Sequence, residues 1–414
     1  MSQEFVGSKL PVNTQYADSP VLDAFTRVRT STPQFNFDNQ YSYNLNPQFM
    51  EPVTNGSGAT VTFDSTNRVA KMTFASTPTG GKAYMQSFQH NHYYPGRSQL
   101  MICSFGFESA VANVLKFVGY SDGTNGIEFQ LDGSTKQWKL SSSTSSGNET
   151  VTQANWNVDR LDGTGASGIT LDVTKDQIVI IDIQALYTGR VRVGFIIDGV
   201  IFYCHFFQHT NLLTSPFIQR ASLPVRCGMT CTGTVSTTMH MTCTTVESEG
   251  ADTENVGNPF SVEGTATAGN GARTHLLSVR PKTTFNGITN RIVFELNGLE
   301  FLVTGNNPIL WELCVGQAIS GTTTFNDVNT TYSGFEYNTA GTISGSPDIV
   351  IISGYSGGGI SGSPTPVARI LSQRVPITLD AAGAVRALGT VSLIVTGIGA
   401  NTACRGIMNW KEVR

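Results

Sequence analysis

Short bursts of apolar residues, punctuated by Gly, Asn, Asp and Ser, dominate the chain from residue 56 onward. Ile178-Val179-Ile180-Ile181-Asp182-Ile183 is a nearly continuous apolar run, the pattern of a strand covered on both faces. Arg190-Val191-Arg192-Val193 alternates basic with apolar and predicts a strand with one face in water. Asp198-Gly199 stands between Phe195-Ile196-Ile197 and Val200-Ile201-Phe202-Tyr203, which predicts a tight hairpin. Asn297-Gly298, between two further apolar runs in 292–303, predicts a second. Asp348-Ile349-Val350-Ile351-Ile352 and Thr390-Val391-Ser392-Leu393-Ile394-Val395 add two strands, with a Gly-rich loop at 354–362 between them. Neither heptads nor a Gly-X-Y repeat occur, so no coiled-coil stalk or collagen-like shaft is encoded. The expected class is all-β: two antiparallel β-sandwich domains, jelly-roll-like, preceded by an extended N-terminal arm.

The breaks in this pattern set the domain boundaries. Residues 244–259, TTVESEGADTENVGNP, bring four acidic residues and two glycines with almost nothing to bury. Residues 246–258 are therefore read as a linker between a sandwich at 56–245 and a second at 259–414. Residues 1–55 sustain neither period, yet Thr32-Pro33-Gln34-Phe35-Asn36-Phe37-Asp38-Asn39-Gln40-Tyr41-Ser42-Tyr43 alternates polar with aromatic over part of its length. Such an arm cannot bury both faces alone, so it is expected to lie extended against its own domain or a neighbouring subunit. Phe25, Arg27, Arg29, Phe35, Phe37, Tyr41 and Tyr43 are the candidate assembly contacts.

Composition narrows the function. Charged residues make up 14% of the 414 and the formal net charge is −4, which gives nucleic acid no electrostatic foothold. The opening MSQEFVGSKLPVN lacks a signal-peptide pattern, and no apolar run approaches the length of a membrane helix, so membrane insertion is not expected. Seven scattered cysteines do not form a secreted disulfide framework and read as reduced.

Candidate chemistry is sparse. Cys227, Cys231, His240 and Cys243 could enclose zinc, but C-x3-C-x8-H-x2-C is no strong zinc spacing, and Cys227, Met229 and Cys231 share one face of a strand at period two. His205 and His209 have i, i+4 spacing without an acidic group between them and read as structural. Asp159-Arg160-Leu161-Asp162-Gly163 could hold calcium, and is equally what a tight loop requires. Glu128, Asp132, Asp159 and Asp172 are available as a glycosidase pair, although sequence cannot set them face to face. Tyr93, Tyr94, Trp138 and Trp156 would stack on sugars if exposed, and read first as core or interface anchors. No G-x-S-x-G, HExxH or phosphate-binding glycine loop is present. No catalytic residue, cofactor or metal is expected, and the chain is read as not an enzyme.

Several stretches resemble a family of tailed-bacteriophage virion structural proteins. Asp23-Ala24-Phe25-Thr26-Arg27-Val28-Arg29-Thr30-Ser31-Thr32-Pro33 is similar to the family's D-A-F-G-R-x-R-V-S-x-P element, and Tyr94-Pro95-Gly96-Arg97-Ser98 to its Y-x-P-G-K-S element. Collinear blocks follow at 153–211, Leu223-Pro224-Val225-Arg226, Leu277-Ser278-Val279-Arg280-Pro281-Lys282, Phe285-Asn286-Gly287, Asn290-Arg291 and the ending Asn409-Trp410-Lys411-Glu412-Val413-Arg414. The resemblance implies a virion component, such as a tail or baseplate appendage, with other virion proteins and a host surface glycan or protein as partners. It brings no catalytic residues. Phage appendages are commonly threefold, which favours a homotrimer. The alternatives are a head or collar decoration protein without host contact, and a glycan-degrading appendage enzyme. Limited proteolysis of the native chain is expected to cut first within 246–258 and leave two stable fragments; a first cut inside 178–204 would refute that division.

Overall fold

The computed structural model describes residues 22–25, 27–29, 33–184, 186–250, 257–359 and 376–414. Among them there is no α-helix, only strands and two single-turn 3-10 segments, Gln153–Asn155 and Ala387–Gly389. Among the described residues no helix is long and apolar enough to cross a membrane. The chain forms two compact units, Met1–Ser87 with Tyr93–Asp252, and Phe88–His92 with Thr253–Arg414. The expected all-β class is what the molecule has. The unit boundaries differ in detail from the composition breaks: strand Val235–Glu249 runs through the start of the acidic stretch and strand Asn258–Ala268 begins at its end. Residues 251–256 of the expected linker lie outside the described residues.

The first unit packs an eight-stranded sheet against a seven-stranded one, and the chain passes repeatedly from one to the other. Alternation along each strand supplies the core. Phe129 is its hub, with ring centroids of Phe195, Trp138, Phe107, Phe105 and Trp156 between 5.0 and 6.4 Å away. Trp138 is fully buried and its indole N–H donates to the Cys204 thiol at 3.1 Å. Trp138, Trp156 and Tyr93 are thus core residues, not exposed stacking platforms. Lys116 is also inward. Its ammonium donates to the carbonyls of Phe107, Ser109 (2.9 Å) and Thr238 (2.8 Å), so it joins its own strand in one sheet to strand Val235–Glu249 in the other. Burial pushes that ammonium down to about 8, against the pull of Glu108.

The second unit sets a three-stranded sheet and a six-stranded sheet around Trp410, which is ringed by Phe260, Phe294 and Phe335. Here one expectation fails. Asn297-Gly298 is not a hairpin turn, because strand Val293–Val303 runs straight through and both halves pair with Thr402–Val413. The extra residue is taken up as a bulge between Leu296 and Gly298, the other use a sheet makes of such a dipeptide. In the first unit the expected hairpin does form: Asp198 and Gly199 both have positive φ (49° and 80°) between strands Val191–Ile197 and Val200–Phe207.

The arm also departs from the simple pattern. Strand Gln34–Gln40 pairs with Val235–Glu249, and a register shift between Phe35 and Phe37 breaks the even spacing. Phe37 and Tyr41 enter the unit's own core, whereas Phe35 and Tyr43 stand 61% and 86% exposed. Strand Met50–Asn55 joins the seven-stranded sheet. Upstream, residues 22–25 and 27–29 lie over the face where Arg192 was expected to meet water, and Arg192 is instead fully buried. The Asp182 carboxylate gathers Arg192, Arg29 (2.7 Å), the Tyr203 hydroxyl (2.8 Å) and the Ser98 hydroxyl (2.7 Å). Arg29 Nε and Arg192 Nη2 both donate to the Leu22 carbonyl, at 3.0 and 2.8 Å, and Arg29 meets Glu249 at 3.2 Å. A buried charge is tolerable only when paired and hydrogen-bonded, and here every member supplies that for another. Arg27, itself exposed, reaches the buried Asp23 carboxylate and lies over the half-buried Phe25 ring.

Asp182→Ala leaves two arginines facing each other without their anion and is expected to cost about 3–5 kcal/mol in denaturant unfolding. Arg27→Ala removes an exposed partner from Asp23, whose carboxylate still accepts from the amides of residues 25 and 27, and is expected to cost less, about 1 kcal/mol. Equal losses in the two variants would mean that the network does not hold the arm.

Candidate functional site

Chemistry-bearing side chains concentrate on the face of the seven-stranded sheet turned away from the core. Four neighbouring strands, Lys82–Ser87, Val225–Cys231, Val114–Ser121 and Gly126–Asp132, place two rows across it. One row reads Tyr84, Gly228, Phe117, Gln130, and continues to Gln137 of strand Thr135–Ser141. The other reads Gln86, Arg226, Gly119, Glu128 and Lys139. The two glycines are forced by close approach: a Cβ on Gly228 would lie 2.1 Å from that of Tyr84, and one on Gly119 2.1 Å from the Ile127 carbonyl oxygen.

Those missing side chains shape the face. Tyr84 and Phe117 flank Gly228 with ring centroids 6.2 Å apart, and the Arg226 guanidinium lies over both, 4.2 and 4.8 Å from the centroids. Across Gly119, Arg226 Nη1 stands 3.8 Å from Glu128 Oε1. Glu128 Oε2 accepts from Gln130 Nε2 at 2.8 Å, and Gln130 Oε1 accepts from Gln137 Nε2 at 3.0 Å. Glu128 Oε1 and Arg226 Nε have no hydrogen-bond partner although both are shielded. Tyr84, Gln86, Phe117, Glu128 and Gln130 are buried, so Arg226, Gln137 and Lys139 are the members of the two rows that a polyhydroxylated ligand could meet through hydrogen bonds.

A glycosidase needs two carboxylates about 5–5.5 or 6.5–9.5 Å apart. Glu128 and Asp132 share a strand face but are four residues apart, about 13 Å along the strand. The position between them is Gln130. Asp159 accepts from the amides of Leu161 and Ser167, and Asp172 from Thr174, so both serve their own loops. Asp162 likewise closes its turn on Thr164.

The remaining sequence candidates are dispersed. Cys227 and Cys231 face the core with Met229, His240 lies between Asp176 (2.8 Å) and Glu108 (3.5 Å), and Cys243 is exposed beside Ser104. Among the described residues no three His, Cys, Asp or Glu side chains are placed to hold a metal. His209 donates from Nδ1 to the Gly189 carbonyl, faces Glu149 at 3.0 Å and stacks on Phe217. His205 Nδ1 accepts from the Asn157 amide at 3.3 Å. Of the arm candidates, Arg29, Phe37 and Tyr41 engage their own unit, while Arg27, Phe35 and Tyr43 are exposed. Sequence reasoning named Glu128 and Asp132 on the site face and none of its other members. Tyr84, Phe117, Arg226, Gln130 and Gln137 become a group only through strand pairing; the available signal was the Glu128-Phe129-Gln130 alternation about one core aromatic.

No protein-family model matches the chain, and no curated protein matches it. Several solved structures are similar over about half of it. An endo-1,3-β-glucanase from Streptomyces sioyaensis is 11% identical over 54% of this chain and 99% of that one, with a TM-score of 0.37. A carbohydrate esterase from Shiga toxin-encoding bacteriophage phi24B is 14% identical over 53% and 100%, TM-score 0.34. A glycosyl hydrolase family protein from Mycobacterium fortuitum is 11% identical over 51% and 99%, TM-score 0.35. At this identity the likeness is one of fold. One expectation is corrected: the chain was read as not an enzyme, and the solved proteins it resembles include a glucanase, a glycosyl hydrolase family protein and a carbohydrate esterase, so the exclusion of catalysis is withdrawn.

Burial pushes the His205 imidazole down to about 4, with Glu149 opposing. Between pH 6.5 and 4 the unfolded chain therefore binds a proton that the folded chain does not, and stability falls as pH falls through this window, by up to about 3 kcal/mol. His275, also depressed by burial, acts in the same direction. In His205→Gln the slope of unfolding free energy against pH is expected to be shallower by about one proton; an unchanged slope would show that His205 titrates normally.

Proposed function

We propose that the chain is a glycan-recognising protein of a bacteriophage particle, which meets a surface polysaccharide through the outer face of the seven-stranded sheet. The observation that carries this reading is the continuous row of Arg226, Glu128, Gln130 and Gln137 beside Tyr84 and Phe117, in which the half-buried Arg226 and Gln137 reach solvent. The virion assignment is supported by the collinear sequence blocks, which run from Asp23 to Arg414. A homotrimer, with Phe35 and Tyr43 of the arm against a neighbour, fits the same assignment. Glu128 also gives the face one carboxylate able to transfer a proton, so cleavage of the bound glycan is measured beside binding.

The test is affinity electrophoresis of the full chain through gels containing purified bacterial surface polysaccharides, with release of reducing ends and of acyl groups assayed in parallel. At least one polysaccharide is expected to retard the chain. Arg226→Met is expected to weaken that retardation at least tenfold, and Tyr355→Ser, on an exposed position of the second unit, to leave it unchanged. Absence of retardation across the panel, or equal retardation of the Arg226→Met protein, would overturn the proposal.

A further inference from the structure

We infer that residues 157–159 form an acid-released cap on an edge of the eight-stranded sheet, with His205 as the group that releases it. Strand Val200–Phe207 ends that sheet and pairs along one side with Val191–Ile197. Its other side is closed by the three residues that follow Trp156. The amides of Val158 and Asp159 both donate to the Cys204 carbonyl, at 3.1 and 3.2 Å. The Asn157 side chain stands in for a strand residue: its Oδ1 accepts from the Phe206 amide at 2.8 Å, and its Nδ2 donates to the Phe206 carbonyl at 2.9 Å. The remaining bond is of another kind, because the Asn157 amide donates to Nδ1 of the His205 ring, 3.3 Å away.

A main-chain N–H cannot accept, so this bond exists only while His205 is neutral and carries its proton on Nε2. Protonation places a second N–H at Nδ1, and two donors then face each other. The cap is placed to yield. Asn157 and Val158 are exposed, whereas Trp156 before them is buried and the Asp159 carboxylate after them is held by the Leu161 and Ser167 amides. A short stretch between two anchors can lift without unfolding the unit. The ionisable groups neighbouring His205 are Glu149 of strand Glu149–Thr152, His209, which meets Glu149 at 3.0 Å, and Asp159 of the cap. Burial, opposed by Glu149, holds the capped imidazole down at about 4. Lifting the cap returns Nδ1 to water, where an imidazole takes its proton near 6.5. Between those two values opening takes up one proton, so the open fraction rises about tenfold for each pH unit of acidification. Each opening bares the Cys204 carbonyl and both main-chain groups of Phe206, which turns a closed sheet edge into an open one.

The test is hydrogen exchange of the full chain followed at single amides and expressed as protection, which removes the acid dependence of the exchange chemistry itself. Below pH 6.5 the amides of Asn157, Val158, Asp159 and Phe206 are expected to lose protection about tenfold per pH unit, while those of Val191–Ile197 keep theirs. His205→Asn, whose Oδ1 accepts from the Asn157 amide and takes up no proton, is expected to abolish that loss. Asn157→Ala is expected to lower protection of the Phe206 amide at every pH, and unchanged protection there would show that residue 157 caps nothing. An acid loss that persists in His205→Asn would assign it to Glu149, His209 or Asp159 and overturn the inference. So would a loss shared equally by all amides of the unit, which is global unfolding, or protection of the cap that does not change with pH. Should His205→Asn fail to fold, the ring nitrogen shifts of His205 in the unaltered protein decide. A proton on Nε2 at neutral pH is expected, and one on Nδ1 would overturn the inference.

Discussion

Phe129 and Glu128 are neighbours in the chain and point to opposite sides of strand Gly126–Asp132, so the first unit's aromatic core and its polar face are set by one register. A slip of one residue would put Glu128 among Trp138 and Phe195 and turn Phe129 outward, exchanging every contact on both sides. Sterics enforce the same register from the adjoining strand, because only glycine fits at position 119 against the Ile127 carbonyl. Core packing and site geometry are therefore not separable here. A change that loosens Phe129 displaces Glu128 and Gln130 with it.

The chain places its few buried charges with similar economy of partners. Asp182 is surrounded by two guanidiniums and two hydroxyls, and both guanidiniums also donate to the Leu22 carbonyl. The arm is thus seated by its backbone as much as by its side chains. Cys103, Cys204 and Cys227 show the opposite use of burial: their thiols are pushed up by desolvation, which makes them small apolar fillers and poor nucleophiles.

Much of the architecture was legible because period-two patterning leaves little choice of fold class. The Asp198-Gly199 hairpin could be read for a specific reason, since two consecutive positive φ angles demand such residues. Asn297-Gly298 offered the same letters and became a bulge, because the same partner strand, Thr402–Val413, was available on both sides of it. Local chemistry does not reveal that partner. Arg192 misled in a related way, as alternation marks a face but not what later covers it. The site face was illegible for the same reason: Tyr84, Glu128 and Arg226 lie far apart in sequence, and only the order of strands makes them neighbours. Glu128 was found as an isolated acidic residue; its setting was not.

Lys116 carries a mechanical meaning beyond its hydrogen bonds. Two sheets that touch only through side chains can slide over one another when a pulling load acts along their strands, because dispersion contacts re-form at each step. An ammonium carried by a strand of one layer and bonded to the Thr238 carbonyl of the other cannot follow such a slide without losing a directional bond. It works as a rivet through the sandwich, set beside the loop where the chain crosses from one sheet to the other. Forces applied to this unit from outside are then shared between both layers, and the layers yield together.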